Sequence, residues 1–464
     1  MRTKAKWLAV LLALGMVAAA CSPAAEEGAT TAPPAAEEPA EEPAEEPAEE
    51  PMDEEEMDDE MAIATDVGVD LEAGTITIGL LSDLTGPFSP LVQVIVTGQE
   101  VYWEEVNANG GINGLQVVME VRDTAYVVDN HVQAYEELKD KVVAFGHSTG
   151  SPHTVAIVPQ LQEDGILAIP LTWYSGWTDP DLSSNLLHHG APYCIEAQNL
   201  VGYAADTMGI QTIAIVSLPG DYGQDSAAGA KIAAEALGLE IVYDGEGTIV
   251  PTDEAGLTAA ADAIVEATPD LVWITATPTM FSSIFGQALA KGFQGMWSGA
   301  APTFNPAFIK PDSPIKDPIT NLTFWGSYYE TWDGTSPGTQ AAKEMLMARR
   351  PDITPLDFYF EGIIEAMIME QALLKAYDNG DLTQAGVLAA AKSLENVDFN
   401  GLAPAERYTG TPNEQVQRII HVVKPDPEGL ASGANGGLKM VETNYVHPIV
   451  QNFEFNEACY KLGG

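Results

Sequence analysis

The stretch of the chain best suited to chemistry is Gly146-His147-Ser148-Thr149-Gly150, which matches the Gly-x-Ser-x-Gly pattern of a nucleophile elbow. It lies where that pattern requires, between a strand-like and a helix-like run, and His421 and His447 are candidate bases farther along the chain. These residues admit a serine hydrolase with Ser148 as the nucleophile. Against it, the pattern is short, and His421 falls inside the apolar run RIIHVV, where a core histidine is the simpler interpretation.

The same turn has a use that needs no catalysis. Ser148, Thr149, Gly150 and Ser151 precede a helix-like run, so their hydroxyl and backbone N–H groups would face an anion or a polar oxygen, and the positive end of the helix dipole would add to the attraction. Ser151 followed by Pro152 is also an ordinary helix start. Capping and anion binding can coexist, so the turn is a candidate ligand site.

Alternating strands and helices must position this turn. The pattern predicts strands at 75–81, 115–122, 142–146, 167–170, 212–217, 240–243, 271–275 and 295–298, and helices at 92–107, 132–139, 152–163, 195–208, 224–237, 280–291 and 359–377. Such alternation is typical of an α/β fold with doubly wound parallel sheets, in which ligands bind at the carboxyl ends of the strands. In the helix at 359–377 a set of apolar residues has the spacing of core packing: Ile363, Ala366, Met367, Ala372 and Leu373.

The first 74 residues direct the chain to its location and do not build a core. Three basic residues precede an apolar run at 7–20, which is too short to span a membrane and ends in Ala-Ala-Ala-Cys21. Residues 1–20 resemble a bacterial lipoprotein signal peptide, which implies acylation of Cys21 and a membrane anchor; an ordinary cleaved signal or a chance cysteine is the alternative. Residues 21–74 are expected to form the lipidated cysteine and a disordered acidic Pro/Glu/Ala tether, since 22–60 contain 17 acidic residues and no Lys or Arg.

Charge restricts the partners. The formal net charge of the chain is −48, and 48 acidic against 17 basic residues follow residue 74. Nucleic acid is excluded as a partner, because phosphate binding needs clustered Lys and Arg. Solubility in an acidic or salt-adapted proteome explains the charge more simply than a cationic ligand does.

Two cysteines besides Cys21 are present, Cys194 and Cys459. In an oxidising compartment they can form a disulfide that would tie the C-terminal tail to the body. Two buried free thiols are the alternative that the sequence leaves open.

The run ITIGLLSDLTGPFSPLVQVIVTGQEVYWEEVNANGGINGLQVVMEVRDTA resembles the N-terminal hallmark of the type I periplasmic binding proteins, in the branched-chain amino-acid-binding (Leu/Ile/Val-binding-like) family of ABC transporters. TIAIVSLPGDYGQDSAAGAKIAAEALG and GFQGMWSG resemble its second lobe. The resemblance implies two doubly wound lobes joined by three crossovers, near 188–192, 325–329 and 408–414, which close on a small ligand. Lobe 1 is expected at 75–190 plus 327–410, and lobe 2 with the C-terminal tail at 191–326 plus 411–464.

The same resemblance supplies the candidate ligand site. In that family the turn at 148–151 holds the ligand carboxylate, an aromatic residue in the first loop lines the cleft, and a Tyr before Gly contacts the ligand from the second lobe. The loop at 171–178 is longer than usual, so its ligand-binding hydroxyl is not identified, and its aromatics either stack on the ligand or form a lid on their own lobe. The candidate ligand-binding residues are Phe88, Ser148, Thr149, Gly150, Ser151, Thr172, Trp173, Tyr222, Thr277, Ala300 and Tyr328, and Tyr174 and Tyr329 are aromatic candidates near them.

One departure from the family bears on the ligand. Where amino-acid binders place an acid that pairs with the ligand's ammonium, this chain has Ser298-Gly299-Ala300-Ala301-Pro302. An unpaired buried ammonium is costly, so a standard α-amino acid is disfavoured unless Asp221 or another acid substitutes. This departure favours a ligand without an amine, such as an apolar or aromatic carboxylate or an amide, and leaves an amino acid open.

Metal and nucleotide chemistry are not predicted. The seven histidines are scattered, the adjacent pair His188 and His189 does not face one ion, and His147 and His153 are six residues apart across a turn. We therefore expect no metal and no cofactor.

The sequence thus predicts a monomeric, extracytoplasmic, lipid-anchored solute-binding protein and not an enzyme. It would capture an amino acid, an amide or a small apolar or aromatic carboxylate between its lobes and deliver it to an ABC permease in the membrane. The alternatives are a ligand sensor for a signalling partner and, ranked below it, a serine hydrolase using Ser148.

Overall fold

A computed structural model describes residues 63–354 and 356–462. The predicted signal peptide, the lipidation site at Cys21 and nearly all of the tether lie outside the described residues. Within those ranges, no helix has both the length and the apolar character that a membrane span needs. The described residues all belong to one compact unit, 59–464.

The first half of the fold is a mostly parallel sheet with helices on both faces. The short β1 (Ala64–Thr65) precedes this sheet and is not part of it. The strands of the sheet are β2 (Val69–Asp70), β3 (Thr75–Ser82), β4 (Gln116–Asp123), β5 (Ala144–Thr149) and β6 (Leu167–Leu171), and its helices are α1 (Ser89–Ala108), α2 (Val128–Leu138) and α3 (Ser151–Asp164). The parallel strands run in the order β4-β3-β5-β6, and β2 pairs antiparallel with the start of β3. All residues of β5 and β6 are buried, as expected for strands covered on both faces.

The second half repeats this arrangement. After α4 (Pro180–Ser183), its elements are α5 (Tyr193–Met208), β7 (Thr212–Ser217), α6 (Asp221–Leu237), β8 (Glu240–Gly245), α7 (Glu254–Ala267), β9 (Leu271–Thr275), α8 (Pro278–Ala290) and β10 (Met296–Ser298). The strands are all parallel, in the order β8-β7-β9-β10. The predicted α/β class, with two doubly wound parallel sheets, is confirmed.

The remaining chain returns to both halves. It comprises α9 (Lys316–Leu322), β11 (Trp325–Ser327), α10 (Pro337–Arg349), α11 (Tyr359–Asp378), β12 (Asp381–Leu382), α12 (Gln384–Lys392), α13 (Pro412–Gln415), β13 (Ile420–Pro425), α14 (Pro427–Ser432), β14 (Leu438–Tyr445) and α15 (Pro448–Gln451). Strands β11, β13 and β14 form an antiparallel sheet, and β12 pairs with β1. The lobe boundaries expected from the sequence stay a prediction.

Helices α1 and α11 cross in close contact behind the first sheet. A Cβ on Gly362 would lie 1.9 Å from the carbonyl oxygen of Ile95, and one on Gly98 would lie 2.3 Å from that of Tyr359. Only glycine allows the two backbones this approach. On α11, Ile363, Ala366, Ala372 and Leu373 are buried as predicted and Met367 is half-buried.

The C-terminal tail is fastened to the start of α5. Cys194 and Cys459 are joined in a disulfide. Beside it, the Ser175 hydroxyl accepts the Cys459 N–H at 2.9 Å, and the Tyr174 hydroxyl donates to the Tyr460 carbonyl at 2.7 Å. Tyr174 therefore packs under the tail and does not line the ligand cavity described below.

Candidate functional site

A largely apolar cavity lies at the carboxyl ends of the strands of both sheets, where ligands bind in folds of this class. Its empty space is about 480 Å³, counted with the part open to solvent. The first sheet and α1 supply most of the wall, and α6 with the loop after β10 supply the rest. The lining residues are Phe88, Leu91, Val92, Ile95, Tyr126, Thr149, Gly150, Ser151, Leu171, Trp173, Tyr193, Tyr222, Pro302 and Phe358.

The polar part of this wall is the turn from β5 into α3. Gly150 has φ 94°, and a Cβ there would meet both the His153 ring and the Tyr126 ring at 2.7 Å, so this position favours glycine on two grounds. Ser151 begins α3, and the first N–H groups of a helix have no acceptor within it. The turn can therefore receive a carboxylate with backbone N–H groups and the helix dipole.

Two hydroxyl groups of this turn are oriented by neighbours behind the wall. Thr149 Oγ1 lies 2.6 Å from His147 Nε2, and the Ser151 hydroxyl is hydrogen-bonded to the Thr172 hydroxyl. Thr172 thus does not line the cavity but fixes a residue that does. Such second-layer hydrogen bonds hold a binding site in one geometry before the ligand arrives.

Aromatic rings form the opposite wall. Phe88 packs against Tyr126 with ring centroids 4.9 Å apart, and Tyr193 packs against Tyr222 at 4.9 Å. The hydroxyl of Tyr222 lies 3.1 Å from the hydroxyl of Thr303, so the oxygen is held in the second half while the ring faces the cavity. The wall is rigid and apolar, which suits a hydrocarbon part of a ligand.

Tyr126 occupies a strained turn. Ala125 and Tyr126 both have positive φ, at 50° and 55°, which is uncommon for residues other than glycine. Asp123 holds the turn by accepting the N–H groups of Ala125 and Leu84, each at 2.9 Å. Strain of this kind concentrates at binding sites, and here it places the Tyr126 ring between Phe88 and His153.

None of the described residues that line the cavity carries a charge. Two buried acids adjoin the wall in sequence, Asp357 before Phe358 and Asp221 before Tyr222, and burial raises the pKa of each to about 7. Asp221 lies at the start of α6. Its Oδ1 accepts the Tyr222 N–H at 3.0 Å, while its Oδ2 has no partner among the described residues. At the position of the family's acidic residue, Ala300 is buried behind the wall and Pro302 lines it.

A second apolar space adjoins the first. Its empty volume is about 420 Å³, and it shares Trp173, Pro302 and Phe358 with the first cavity. Tyr328 and Tyr329 line it, and the Tyr328 ring packs on Trp173 at 4.6 Å. A buried acid, Asp357, also lines this second space.

Ser148 is placed away from the cavity. Along β5, His147 and Thr149 face one side of the sheet and Ser148 faces the other, where its hydroxyl lies 3.0 Å from His131 Nε2 and 2.8 Å from the Thr154 hydroxyl. Ser148 is fully buried, and the Nδ1 atom of His131 has no hydrogen-bond partner among the described residues, so no acid orients that ring. The candidate bases are elsewhere: His421 lies in β13 and His447 pairs with Asp206 at 3.2 Å. This geometry lacks what a serine nucleophile needs.

The structure brings six of the candidate site residues to the first cavity: Phe88, Thr149, Gly150, Ser151, Trp173 and Tyr222. Tyr328 lines the second space, while Ser148, Thr172 and Ala300 lie behind the walls, and Thr277 caps α8 through the Met280 N–H. Sequence reasoning missed Tyr126, Tyr193, Phe358 and Pro302, and it missed the face of α1 formed by Leu91, Val92 and Ile95. The spacing of that face was visible, but the same spacing also predicts core packing.

A cluster of ionisable side chains lies behind the Trp173 side of the wall. His189, Glu361 and Glu365 are buried there and have the donor types of a metal site. Burial alone would lower the pKa of His189, but the Glu361 and Glu365 carboxylates raise it to about 9. Burial raises the pKa of Glu361 to about 8.

Comparison with known proteins places these features in context. A family model described as "Periplasmic binding protein" matches residues 75–430. Leu/Ile/Val-binding protein homolog 3 from Brucella melitensis biotype 1 is 29% identical over 202 residues, which are 42% of this chain and 52% of that protein. Leu/Ile/Val-binding protein BraC3 from Rhizobium johnstonii is 30% identical over 191 residues, 40% of this chain and 50% of that protein. The chain thus spans about half the length of the curated relatives it matches.

Solved structures are similar over a larger share of the chain. The fatty acid ABC transporter substrate-binding protein from Thermomonospora curvata superimposes with a TM-score of 0.78 and 28% identity, covering 85% of this chain and 98% of that one. A branched chain amino acid ABC transporter from Thermus thermophilus with bound valine gives a TM-score of 0.67 and 20% identity, covering 82% and 99%. The second similarity shows the fold alone.

Proposed function

Because the chain belongs to the periplasmic binding protein family, whose members bind solutes for ABC transporters outside the cytoplasm, we propose that its own ligand is an apolar monocarboxylate of the fatty-acid class. The observation that carries this proposal is the cavity itself: hydroxyl and N–H groups at one helix N-terminus, an apolar wall elsewhere, and no charged side chain among the described lining residues.

The polar turn at 149–151 takes the carboxylate. The N–H groups of the first turn of α3 and the Ser151 hydroxyl donate to the ligand oxygens, as at other helix N-termini that bind anions. Thr149 and Ser151 are held by His147 and Thr172, so little ordering is needed when the ligand binds.

The hydrocarbon chain of the ligand lies along α1 and Trp173. Each buried methylene contributes about 0.8 kcal/mol, so seven methylenes supply about 5–6 kcal/mol of the ~8 kcal/mol that micromolar binding requires. The second space beyond Trp173 accommodates longer chains. The similarity to a protein named as a fatty acid binder supports the same ligand class.

The competing ligand is a branched-chain amino acid. It would need an anionic partner for its ammonium, and two buried acids whose Oδ2 has no partner among the described residues, Asp221 and Asp357, favour this ligand. However, neither acid lines the first cavity, and burial raises the pKa of each carboxyl to about 7, so an ion pair with the ammonium would have to offset the cost of ionising a buried acid.

Anchoring and delivery are part of the same proposal. Cys21 carries the acyl chains, and the acidic segment 21–74 is the spacer between the membrane and the folded part. The folded part is a monomer, and the permease engages it once the ligand has closed the lobes. The acidic composition and the lipoprotein-like N-terminus support it. Sensing through a signalling partner is the alternative use of the same ligand-bound form.

A ligand panel on the purified full chain tests the ligand class. Octanoate, octylamine, octanol, leucine and valine are titrated while thermal unfolding is followed; a ligand at about 100 times its Kd adds ~2.7 kcal/mol to the unfolding free energy and moves the midpoint by a few degrees. We expect octanoate to shift the midpoint and octylamine and leucine to leave it in place. A shift with leucine or valine alone contradicts the proposal.

Two serine substitutions on the same turn separate binding from capping. Ser151 lines the cavity and Ser148 does not, so Ser151→Ala should weaken octanoate binding about fivefold, the equivalent of ~1 kcal/mol for one hydrogen bond, and Ser148→Ala should leave it unchanged. Equal losses of octanoate affinity in both variants would mean that the substitutions act by destabilising the turn and not by removing a contact with the ligand.

A further inference from the structure

The cluster behind Trp173 joins parts of the chain that are far apart in sequence. His189 lies in the segment before α5, and Glu361 and Glu365 are one turn apart on α11. One nitrogen of His189 and one oxygen of each carboxylate lie within 4.8 Å of one another. The three residues are only 3%, 1% and 0% exposed, so bulk water does not satisfy them.

Four polar atoms of this cluster have no hydrogen-bond partner among the described residues: His189 Nε2, Glu365 Oε1 and both carboxylate oxygens of Glu361. His189 Nδ1 lies 3.2 Å from Glu361 Oε1, but the contact does not have hydrogen-bond geometry. Buried carboxylates without partners are costly, which points to a group that satisfies them.

Neighbouring residues orient Glu365 toward this point. Its Oε2 accepts from Gln99 Nε2 at 2.9 Å and lies 2.8 Å from His147 Nδ1. The other nitrogen of His147 faces the Thr149 hydroxyl, so both ring nitrogens are occupied. The Oε2 atom of Glu365 therefore has its hydrogen-bond partners, whereas its Oε1 atom has none and lies 3.9 Å from His189 Nε2. Ligating carboxylates in metal sites are held by such outer hydrogen bonds.

Three buried carboxyl groups and two imidazoles meet at this point. A third buried carboxylate, Glu406, accepts the N–H of Gly190 next to His189 at 2.8 Å. Among the described ion pairs, Glu361 and Glu365 contact only the imidazoles of His189 and His147, and none joins any of the three acids to a Lys or Arg. A divalent cation bound here would take the place of the His189 proton and offset the negative charge of two carboxylates.

We propose that His189, Glu361 and Glu365 bind one divalent transition-metal ion, of the Zn²⁺ type, in a buried site with three protein ligands. One imidazole nitrogen and two carboxylate oxygens are a ligand set that such ions accept, with water as a fourth ligand. Since the ligand atoms are within 4.8 Å of one another, shifts under about 1 Å bring them to bond lengths of ~2.0–2.2 Å.

The site would stiffen the ligand cavity from behind. The Trp173 ring, which lines both spaces, packs edge-on against the His189 ring at 6.1 Å. Glu365 reaches Thr149 through His147. The metal would thus hold two parts of the wall, whatever ligand the cavity takes, so the inference does not depend on the proposed function.

Metal binding is tested on the purified full chain. After dialysis against EDTA, Zn²⁺ is titrated by calorimetry, bound metal is counted by mass spectrometry, and Co²⁺ serves as a visible-absorption probe. We expect one ion per chain, a higher unfolding midpoint with Zn²⁺, and Co²⁺ absorption that Zn²⁺ displaces. Glu361→Gln should lower the affinity at least about a hundredfold, since even outer partners of metal ligands cost about 10–100-fold.

Two controls keep the test decisive. Asp357→Asn changes another buried acid, outside the cluster, and should bind Zn²⁺ as the parent chain does. Asp206→Asn removes the exposed partner of the buried His447 and should also bind normally; loss of binding in this variant would mean adventitious surface binding. If Glu361→Gln does not fold, the Co²⁺ absorption of the parent chain tests the proposal without it: absorption that Zn²⁺ displaces supports the site. A folded parent chain that binds no Zn²⁺ and shows no Co²⁺ absorption overturns the proposal, as does unchanged affinity in folded Glu361→Gln.

Discussion

At the residue scale, one alternation along β5 decides what the Gly-x-Ser-x-Gly turn can do. Thr149 reaches the cavity while Ser148, one position earlier, is buried against α2 and α3. Successive side chains of a strand face opposite sides of the sheet. The serine of this pattern is therefore exposed to the cavity only if the strand ends before the serine and the turn begins there. Here the strand continues through Thr149, beyond the predicted end at 146, and the turn begins at Gly150.

Glu196 on α5 ties the second half to the return strand. Its Oε1 accepts the Ala301 N–H at 3.0 Å and its Oε2 accepts the Tyr328 hydroxyl at 2.7 Å. Burial raises its pKa to about 8, although both hydrogen bonds oppose the rise. The folded state therefore keeps a proton that the unfolded state releases above its ordinary pKa, and stability falls as the pH rises from about 4.5 to 8.

Glu196→Gln should remove this pH dependence, since the amide has the shape of the protonated acid and no charge to desolvate. Urea unfolding at pH 5, 6, 7 and 8 should show the variant gaining stability relative to the parent chain by up to about 1.4 kcal/mol per pH unit. The exposed Glu163→Gln is the matched control and should follow the parent curve. Parallel curves for Glu196→Gln and its parent would contradict the assignment.

The sequence predicted the polar end of the site better than its apolar walls. The turn at 148–151 is contiguous, and its Gly, Ser and Thr have a use at a helix start that can be stated from the residue types. Tyr126 and Tyr193 reach the cavity only because a strained turn and a chain crossing place them there, and neither is encoded in local spacing. The cluster of His189 with Glu361 was missed for the same reason, since metal-site reasoning looked for neighbours along the chain.

At the element scale, the crossing of α1 and α11 positions most of the apolar wall. Phe88 and the face of α1 that ends at Ile95 line the cavity from one side, and Phe358, just before α11, lines it from the other. The two helices can approach this closely because Gly98 and Gly362 lie at the contact. Apolar periodicity predicted both helices, but no local signal predicts that they touch.

Gly362→Ala should push the two helices apart. A Cβ would lie 1.9 Å from the Ile95 carbonyl oxygen, which is backbone and cannot rotate away, so we expect a loss of about 1–3 kcal/mol in unfolding free energy. Gly286→Ala in α8 has no atom within 4 Å of the new Cβ and should gain about 0.5–1 kcal/mol from helix propensity alone. Denaturant unfolding measures both, and equal effects would refute the close-packing argument.

Strand and helix prediction succeeded where apolar runs were long. Strand β9 has the predicted bounds, and α11 differs from its prediction by one residue. Helices α7, α10 and α12 were not predicted, and the pairing of β13 with the exposed, polar β14 was not foreseen. Those elements form through contacts with distant parts of the chain, which a local sequence pattern does not show.

At the scale of the whole molecule, two sheets of identical strand order face one cavity, and the C-terminal tail is fastened to both halves: its disulfide joins α5, and Ala458 and Tyr460 pack against the core of the first sheet. Sequence alternation and the family resemblance were sufficient for the architecture. They were not sufficient for the tail, whose attachment depends on Cys194 and Cys459 meeting across 265 residues of sequence.

Reduction of this disulfide should weaken the protein and release the tail. The Cys459→Ser variant loses the disulfide but keeps the hydrogen bond from the backbone N–H of residue 459 to the Ser175 hydroxyl. We therefore expect the free energy of unfolding to fall by about 2–5 kcal/mol, as for other native disulfides. Limited proteolysis should then cut the tail before the body. Lys461→Ala removes only an exposed contact with Glu457 and should leave both readouts unchanged. An unaltered proteolysis pattern in Cys459→Ser would show that the noncovalent contacts hold the tail alone.

The most direct test of the central claim is a calorimetric comparison of octanoate with leucine on the purified full chain at pH 7. The uncharged, apolar cavity with a carboxylate-binding turn predicts saturable octanoate binding at one site per chain, weakened in Ser151→Ala, and no measurable heat of binding with leucine. Saturable leucine binding with no octanoate binding, abolished by Asp221→Asn, would contradict the account and identify an amino-acid site.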